Sequence, residues 1–145
     1  MAGRVVAVNV SARKGVPKTP VPCVELRPDH GVVGDAHGAP GARQVSLLSA
    51  EAIEQALGQD PVEAAGKFAE NITVGELPAE AYDVGTRLRV GLDVVLEISQ
   101  IGKECHTKCA IYRQVGDCIM PRQGVFAMVV EGGTVAVGDA VEVVR

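Results

Sequence analysis

The sequence predicts a mainly β protein, with a barrel-like fold and one or two short helices. Apolar residues make up 47% of the chain, yet it has no Trp, two Tyr and two Phe, so the core must consist of Val, Leu, Ile and Ala. Branched side chains fit strands better than helices. Short alternating segments are separated by Gly-centred turns, and residues 83–90 weakly resemble residues 136–143. This pattern is typical of a barrel or closed sandwich.

Apolar alternation predicts the individual strands. They are residues 3–10, 23–26, 44–48, 71–74, 86–90, 94–98, 125–130, 134–137 and 141–144. In the 94–98 strand, Val94, Leu96 and Ile98 are predicted to point inward. Gly and Pro are frequent in residues 11–22 and 30–42, which are therefore predicted to be loops. The second is predicted to be long and exposed, and it is a candidate for a functional role.

The predicted helices lie within residues 49–67. Ser49 is a plausible N-cap for a helix with Ile53 on its apolar face, and Gly58 is placed to end it. Asp60 followed by Pro61 predicts the start of a second short helix. At 145 residues, the chain is expected to form a single domain.

Composition limits the classes of function. No apolar run approaches the roughly 20 residues that cross a bilayer, and residues 1–10 lack the features of a signal peptide. We therefore expect a cytoplasmic protein that makes no membrane contact. The net charge of −4 argues against nucleic acid as a partner.

Three of the four cysteines are clustered. Cys105, Cys109 and Cys118 lie within fourteen residues, whereas Cys23 is alone. Residues 101–122 carry a net charge of +2, and the rest of the chain carries −6. Cations such as those nearby favour the thiolate, which is the reactive form of cysteine. The cluster therefore predicts a reactive thiol.

Three other interpretations of the cluster stay open. Free cysteines are often small buried hydrophobes. Cys105, His106, Cys109 and Cys118 could instead bind zinc, although the spacing departs from the usual paired ligands. A dithiol redox pair is a weaker alternative, because Cys105 and Cys109 are separated by three residues rather than two.

Several polar residues elsewhere could bind a ligand. Arg43 follows the glycine-rich loop, where a guanidinium could grip phosphate, or it could be an ordinary exposed side chain. His37 could orient a ligand or be merely solvated. Asn71 lies in a predicted strand, which disfavours Asn, so a specific hydrogen bond to ligand or backbone is expected. Asp35 is interpreted as a turn former.

Several motifs, taken in order, resemble one known family. They are GDAH at residues 34–37, RQVSLLS at 43–49, ENITV at 70–74, and Cys109 some sixteen residues before the strand at 125–130. In order and spacing, they resemble the molybdenum-cofactor sulfurase C-terminal (MOSC) domain over nearly the whole chain. The resemblance implies a β-barrel that binds the pterin-based molybdenum cofactor, or passes sulfur to it, through one exposed cysteine.

Cys109 matches that cysteine, which makes it the predicted sulfur carrier and molybdenum ligand. Cys105 is an additional cysteine that could act as a second catalytic thiol. The predicted cofactor-binding residues are Arg43, His37, Asn71, Lys108 and Arg113.

The expected partners follow from the same resemblance. The sequence has no pyridoxal-phosphate desulfurase domain, so no such cofactor is expected, and a cysteine desulfurase or another donor would supply sulfur. A molybdoenzyme or a cofactor-biosynthesis protein would receive it. The oligomeric state stays open. The alternatives are a non-catalytic module that binds or senses the cofactor and, less favoured, a small zinc-stabilised interaction domain.

Overall fold

The computed structural model describes residues 2–14, 16–102 and 124–144. These residues form eleven strands, the α-helix α1 (Ala50–Leu57) and a 3₁₀ helix (Ala79–Tyr82). No helix among them is long and apolar enough to cross a membrane. The strands are β1 (Ala2–Val10), β2 (Thr19–Val21), β3 (Cys23–Arg27), β4 (Gly31–Val32), β5 (Val45–Ser49), β6 (Ile72–Gly75), β7 (Arg87–Val90), β8 (Val94–Ile101), β9 (Val125–Glu131), β10 (Gly133–Ala136) and β11 (Ala140–Val144).

Seven of these strands close into a barrel. Their order is β1-β6-β5-β9-β8-β7-β11, and β11 pairs back onto β1 to complete the ring. Neighbouring strands are antiparallel except β5 and β6, which are parallel. Closure removes the unpaired edges that an open sheet would expose. The predicted barrel is therefore confirmed, and the two segments of the weak repeat contribute adjacent strands, β7 and β11.

The barrel core consists mainly of branched aliphatic side chains. Val94, Leu96 and Ile98 all point into it, as the alternation predicts. A second sheet, in the order β10-β3-β4, adds Val24 and Leu26 to the same core. A Val-rich composition thus supplies the buried side chains of the described barrel core, and the partly buried Tyr82 packs against them.

A smaller apolar cluster covers the outer face of β5 and β9. It joins Leu48, Ile53, Ala64, Phe68 and Phe126. Helix α1 begins and ends as predicted. The hydroxyl of its N-cap Ser49 accepts a hydrogen bond from the Ala52 amide at 3.2 Å, and its C-cap Gly58 lies at φ +64°.

The predicted second helix is wrong. Asp60 does accept a hydrogen bond from the Val62 amide, as a cap would, but residues 61–68 form successive turns. Gly66 lies at φ +83°, outside the helical region, and this interrupts any regular helix. The two predicted loops are also more structured than expected, because residues 11–22 contain β2 and residues 30–42 contain β4.

Candidate functional site

His37, Arg43 and Asn71 line one small recess. Ser46, Phe68, Ala69 and Phe126 complete the described part of its wall. Its enclosed space of about 20 Å³ holds roughly one water molecule. Ser46 pairs with Phe126 across β5 and β9, and their chain neighbours belong to the barrel core. The recess therefore lies on the outer face of the barrel wall rather than inside the barrel.

Arg43 stands at the exposed side of the recess. Its guanidinium carbon lies 5.7 Å from the centre of the Phe126 ring, within the range of a cation–π contact. Its Nε donates a long hydrogen bond of 3.4 Å to Gln100 Oε1. Among the described residues, no carboxylate forms an ion pair with it. The positive charge of Arg43 is thus available to an anion.

The segment that carries His37 is fixed at its beginning and at its end. Gly31 lies at φ +112°, and a Cβ there would sit 2.1 Å from the Gln44 carbonyl oxygen, so only glycine permits this approach. The side chain of Gln44 donates to the Gly41 carbonyl at 3.0 Å and accepts from the Val129 amide at 3.0 Å. Ser99 also donates to the Ala42 carbonyl. The glycine-rich segment is therefore tied to the wall next to Arg43.

His37 is fixed by hydrogen-bonding contacts to the protein, and part of its side chain is exposed to solvent. Its Nδ1 lies 2.9 Å from Lys18 Nζ, and its backbone amide donates to Asp35 Oδ2 at 3.1 Å. About 31% of the side chain is exposed. His37 is thus an oriented side chain rather than a merely solvated one.

A buried ion pair supports His37. Lys18 Nζ lies 2.7 Å from Asp35 Oδ1, and both side chains are almost fully out of solvent. Burial alone would raise the pKa of Asp35, but its contacts with His37, Lys18 and the Ser11 amide hold that pKa well below its ordinary range. Asp35 does form a turn, as predicted. No local sequence pattern indicates that it also anchors a buried lysine.

Asn71 makes the specific hydrogen bonds predicted for it, and they are to protein groups. Its Oδ1 accepts from the Ser46 amide at 3.0 Å and from the Ser46 hydroxyl at 3.2 Å. Its Nδ2 donates to the Asn9 carbonyl at 3.3 Å. Asn71 thereby links β1, β5 and the start of β6 behind the recess. A direct contact with ligand stays a prediction.

Glu70 is a buried acid that sequence reasoning did not single out. Its Oε2 accepts from the Thr73 hydroxyl at 2.8 Å and from the Gly66 amide at 3.1 Å. Its Oε1 and Asn9 Oδ1 have no partner within the described part of the chain. Burial raises the pKa of Glu70, although the bonds from Thr73 and Gly66 oppose this shift. The proton of Glu70 is therefore harder to remove than that of an exposed glutamate.

The cysteine segment joins the barrel beside the recess. Part of the predicted site lies outside the described residues, namely Cys105, Cys109, Lys108 and Arg113. The same is true of His106 and Cys118, which belong to the alternative zinc set. The flanking Gly102 amide donates to the Gly124 carbonyl at 2.6 Å. Two residues before Gly102 is Gln100, the partner of Arg43, and two residues after Gly124 is Phe126. The ranges 2–14, 16–102 and 124–144 contain no cluster of three metal-ligating side chains.

A larger cavity of about 490 Å³ has the opposite character. Its lining includes Glu51, Asp83 and Tyr82. Burial, together with the charge of Glu51, raises the pKa of Tyr82 to about 12. Its two carboxylates make it a poor host for an anion, so the recess at Arg43 is the better anion site.

Solved structures with similar folds cover almost the whole chain. The YUAD protein from Bacillus subtilis matches with a TM-score of 0.77 at 16% identity. The match covers 99% of this chain and 96% of the YUAD chain. YiiM from Geobacillus stearothermophilus matches with a TM-score of 0.72 at 22% identity, and the match covers 99% of this chain and 75% of the YiiM chain. YiiM from Escherichia coli matches with a TM-score of 0.68 at 18% identity, and the match covers 100% of this chain and 70% of the YiiM chain. Identities this low show a shared fold and nothing more.

Sequence comparison identifies the family. No curated protein matches the chain. The family model for the MOSC domain matches residues 33–142, which include the glycine-rich segment, Arg43, Asn71 and Cys109. This confirms the family to which the sequence motifs point. The chain belongs to the MOSC domain family, which is associated with molybdenum-cofactor-related function.

Proposed function

We propose that this MOSC domain holds the molybdenum cofactor at the recess of His37 and Arg43 and carries sulfur on Cys109. One observation supports this most strongly. His37 and Arg43 converge on one recess, at the point where the cysteine segment joins the barrel. An anion-binding arginine and a reactive thiol would then serve the same ligand.

The chemistry of the recess suits the phosphate of a pterin cofactor. Arg43 can donate two parallel hydrogen bonds to a phosphate, and His37 offers a further polar group. The described lining contains no carboxylate that would repel an anion. The recess is far too small for a whole cofactor, so only a phosphate oxygen would enter it.

Cys109 is close enough in sequence to reach this site. It is seven residues from Gly102, and an extended chain spans at most ~3.3–3.6 Å per residue, which allows a reach of roughly 23–25 Å. The Gly102 end of that segment is two residues from Gln100, which contacts Arg43. The thiol and the anion site can therefore act together.

The proposed sulfur step is a thiol exchange. The Cys109 thiolate attacks the terminal sulfur of a donor persulfide, the donor's S–S bond breaks, and the donor leaves as a thiolate. Two thiol sulfurs thus exchange one sulfur atom without an external oxidant or reductant. Lys108 and Arg113 would stabilise the anionic forms of Cys109. When bound, the cofactor supplies a molybdenum centre, for which a soft thiolate is a suitable ligand.

The proposed partners follow from this step. A cysteine desulfurase or another persulfide carrier is the proposed donor, and a molybdoenzyme or a cofactor-biosynthesis protein is the proposed acceptor. A domain that only binds or senses the cofactor would retain it without taking up sulfur. A zinc-stabilised domain would purify with one equivalent of zinc. Elemental analysis of the purified protein separates this last alternative from the other two.

Cofactor retention tests the anion site. The protein is incubated with cofactor released from a molybdoenzyme and desalted, and the retained pterin is measured by fluorescence. Loss of a charge-assisted hydrogen bond costs about 1.5–3 kcal/mol, so Arg43→Met should weaken retention by roughly 10-fold or more. Arg89→Met, on the exposed face of β7, is the matched control. Equal retention by the two variants would contradict the proposed site.

A further inference from the structure

Lys18 is a lysine whose side chain is completely buried. It lies between β1 and β2, next to backbone contacts with Gly66: the Lys18 amide donates to the Gly66 carbonyl at 2.8 Å. Burying a charged ammonium is unfavourable unless it is paired and fully hydrogen-bonded. The Lys18 ammonium therefore needs specific hydrogen-bond partners inside the fold.

Three polar atoms of described residues lie within hydrogen-bond distance of the ammonium. They are Asp35 Oδ1 at 2.7 Å, His37 Nδ1 at 2.9 Å and Ser11 Oγ at 3.1 Å. An ammonium has three N–H donors and no lone pair. The 2.7 Å contact with the Asp35 carboxylate favours the charged ammonium, and an ammonium donates to His37 rather than accepting from it.

This direction of donation fixes the state of the imidazole. A ring nitrogen that accepts a hydrogen bond must carry a lone pair, so Nδ1 is unprotonated. The proton then resides on Nε2. Asp35 Oδ2 lies 3.7 Å from Nδ1, farther than Lys18 Nζ at 2.9 Å, and it accepts a hydrogen bond from the backbone amide of His37.

We propose that Lys18 is a positioning residue that fixes His37 as a neutral Nε2–H donor to an oxyanion in the recess. The proposal rests on the proposed function only for the identity of the anion, since the tautomer is a property of the ligand-free protein. The described part of the recess then offers one full positive charge, on Arg43, and one neutral donor, on His37. Among the described residues, the charged groups around the imidazole are Lys18 and Asp35, which contact it, and Arg43, which lines the same recess.

The tautomer is measured directly by long-range ¹H–¹⁵N correlation spectroscopy of imidazole-labelled protein at pH 7.5. The chain has three histidines, and the signal of His37 is assigned by its loss in His37→Gln. We expect the wild-type ring to be a single Nε2–H tautomer. In the Lys18→Met/Asp35→Asn double variant, which removes both charges of the buried pair, the two tautomers should become mixed. A Nδ1–H tautomer in the wild type, or an unchanged ring in the double variant, would overturn the proposal.

A second pair of variants tests the donor while leaving Lys18 in place. The Gln amide can place an N–H near the position of Nε2, whereas the shorter Asn side chain can place one only near Nδ1. With inorganic phosphate as the probe, followed by ³¹P line broadening, His37→Gln should bind within about 3-fold of the wild type. His37→Asn should bind roughly 10-fold more weakly. The reverse order would overturn the donor assignment.

The tautomer measurement and the cofactor-retention assay can each contradict one proposal without contradicting the other. If the ring is a single Nε2–H tautomer and the cofactor is not retained, the positioning role stands and the proposed function fails. If the cofactor is retained and the wild-type ring is a Nδ1–H tautomer, the positioning role fails and the cofactor site stands.

Discussion

The Lys18 ammonium lies 2.7 Å from the Asp35 carboxylate, and neither side chain has meaningful contact with solvent. This contact joins the segment between β1 and β2 to the glycine-rich segment that precedes β5. Through His37 it also reaches the recess, because Lys18 contacts His37 and the Asp35 carboxylate accepts its backbone amide. One buried ion pair thus supports both the fold and the candidate site.

Breaking this pair should be costly. Removing one partner leaves the other charge buried and unpaired, so Lys18→Met should lower the free energy of unfolding by about 3–5 kcal/mol. The Lys18→Met/Asp35→Asn double variant should lose less than the sum of the two single variants. Urea denaturation measures all three. The surface pair Arg87–Glu97 provides the control, since Arg87→Met should cost about 0–1 kcal/mol. A cost for Lys18→Met no larger than for Arg87→Met would contradict the account.

The same pair should affect stability in acid. The pKa of Asp35 is held below its ordinary value of 3.8, so the folded protein binds its proton less readily than the unfolded chain does. The stabilising contribution of Asp35 is therefore present above pH 3.8 and is lost as the pH falls below it. The Lys18→Met/Asp35→Asn double variant should lose stability less steeply than the wild type below about pH 4. Parallel acid curves would show that Asp35 does not contribute in this way.

Glu70 should have the opposite pH dependence. Burial raises its pKa above the ordinary value of 4.5, so its contribution is complete below pH 4.5 and declines as the pH rises toward the folded-state pKa. Glu70→Gln lacks this decline. Above pH 4.5, over the range in which the buried carboxyl ionises, its stability relative to the wild type should therefore rise, by at most about 1.4 kcal/mol per pH unit. Chemical denaturation across this range tests the prediction, with the exposed Glu80→Gln as a control. A pH-independent difference would exclude it.

Gly66 should be far less tolerant of alanine than another glycine with a similar backbone. A Cβ on Gly66 would lie 2.1 Å from the Lys18 carbonyl oxygen, whereas Gly85, also at positive φ, has nothing within 4 Å. Gly85→Ala should cost about 1 kcal/mol from backbone strain alone. Gly66→Ala adds a backbone clash and displaces Lys18, so we expect a cost at least twice as large. Thermal unfolding of the two variants compares them directly, and equal costs would contradict the packing described for Lys18.

The sequence allows the barrel to be predicted because its signals are local. Alternating Val, Leu and Ile residues mark the strands, and Ser49 and Gly58 correctly mark the ends of α1. The predicted second helix failed at Gly66, whose positive φ is set by its approach to the Lys18 backbone. That approach joins residues 48 positions apart, and no local pattern indicates it.

The candidate site could be predicted only in part for the same reason. Of the residues predicted from the sequence to bind a ligand, three line the recess: His37, Arg43 and Asn71. The specific hydrogen bond expected at Asn71 is confirmed. Lys18 was missed because a lysine in a Pro- and Gly-rich segment is normally exposed. Its burial depends on Asp35, seventeen residues away. Only the folded arrangement shows that partner.

The three clustered cysteines should differ in reactivity. Cys109 has Lys108 as its neighbour, and Cys118 precedes the apolar Ile119, so alkylation at pH 7 should proceed in the order Cys109, Cys105, Cys118. Cys118→Ser should mainly reduce stability, by about 1 kcal/mol, as a conservative change typically does. Peptide mapping after timed alkylation gives the order. A first reaction at Cys118 would make the assignment of Cys109 wrong.

Sulfur loading of Cys109 tests the central claim most directly. The protein is incubated with a cysteine desulfurase and cysteine, and the intact mass is recorded before and after reduction. The wild type and Cys23→Ser, which changes an exposed free cysteine on β3, should each gain one sulfur atom that reduction removes. Cys105→Ser should load more slowly, and Cys109→Ser should not load. Loading of Cys109→Ser at the wild-type rate would contradict the account.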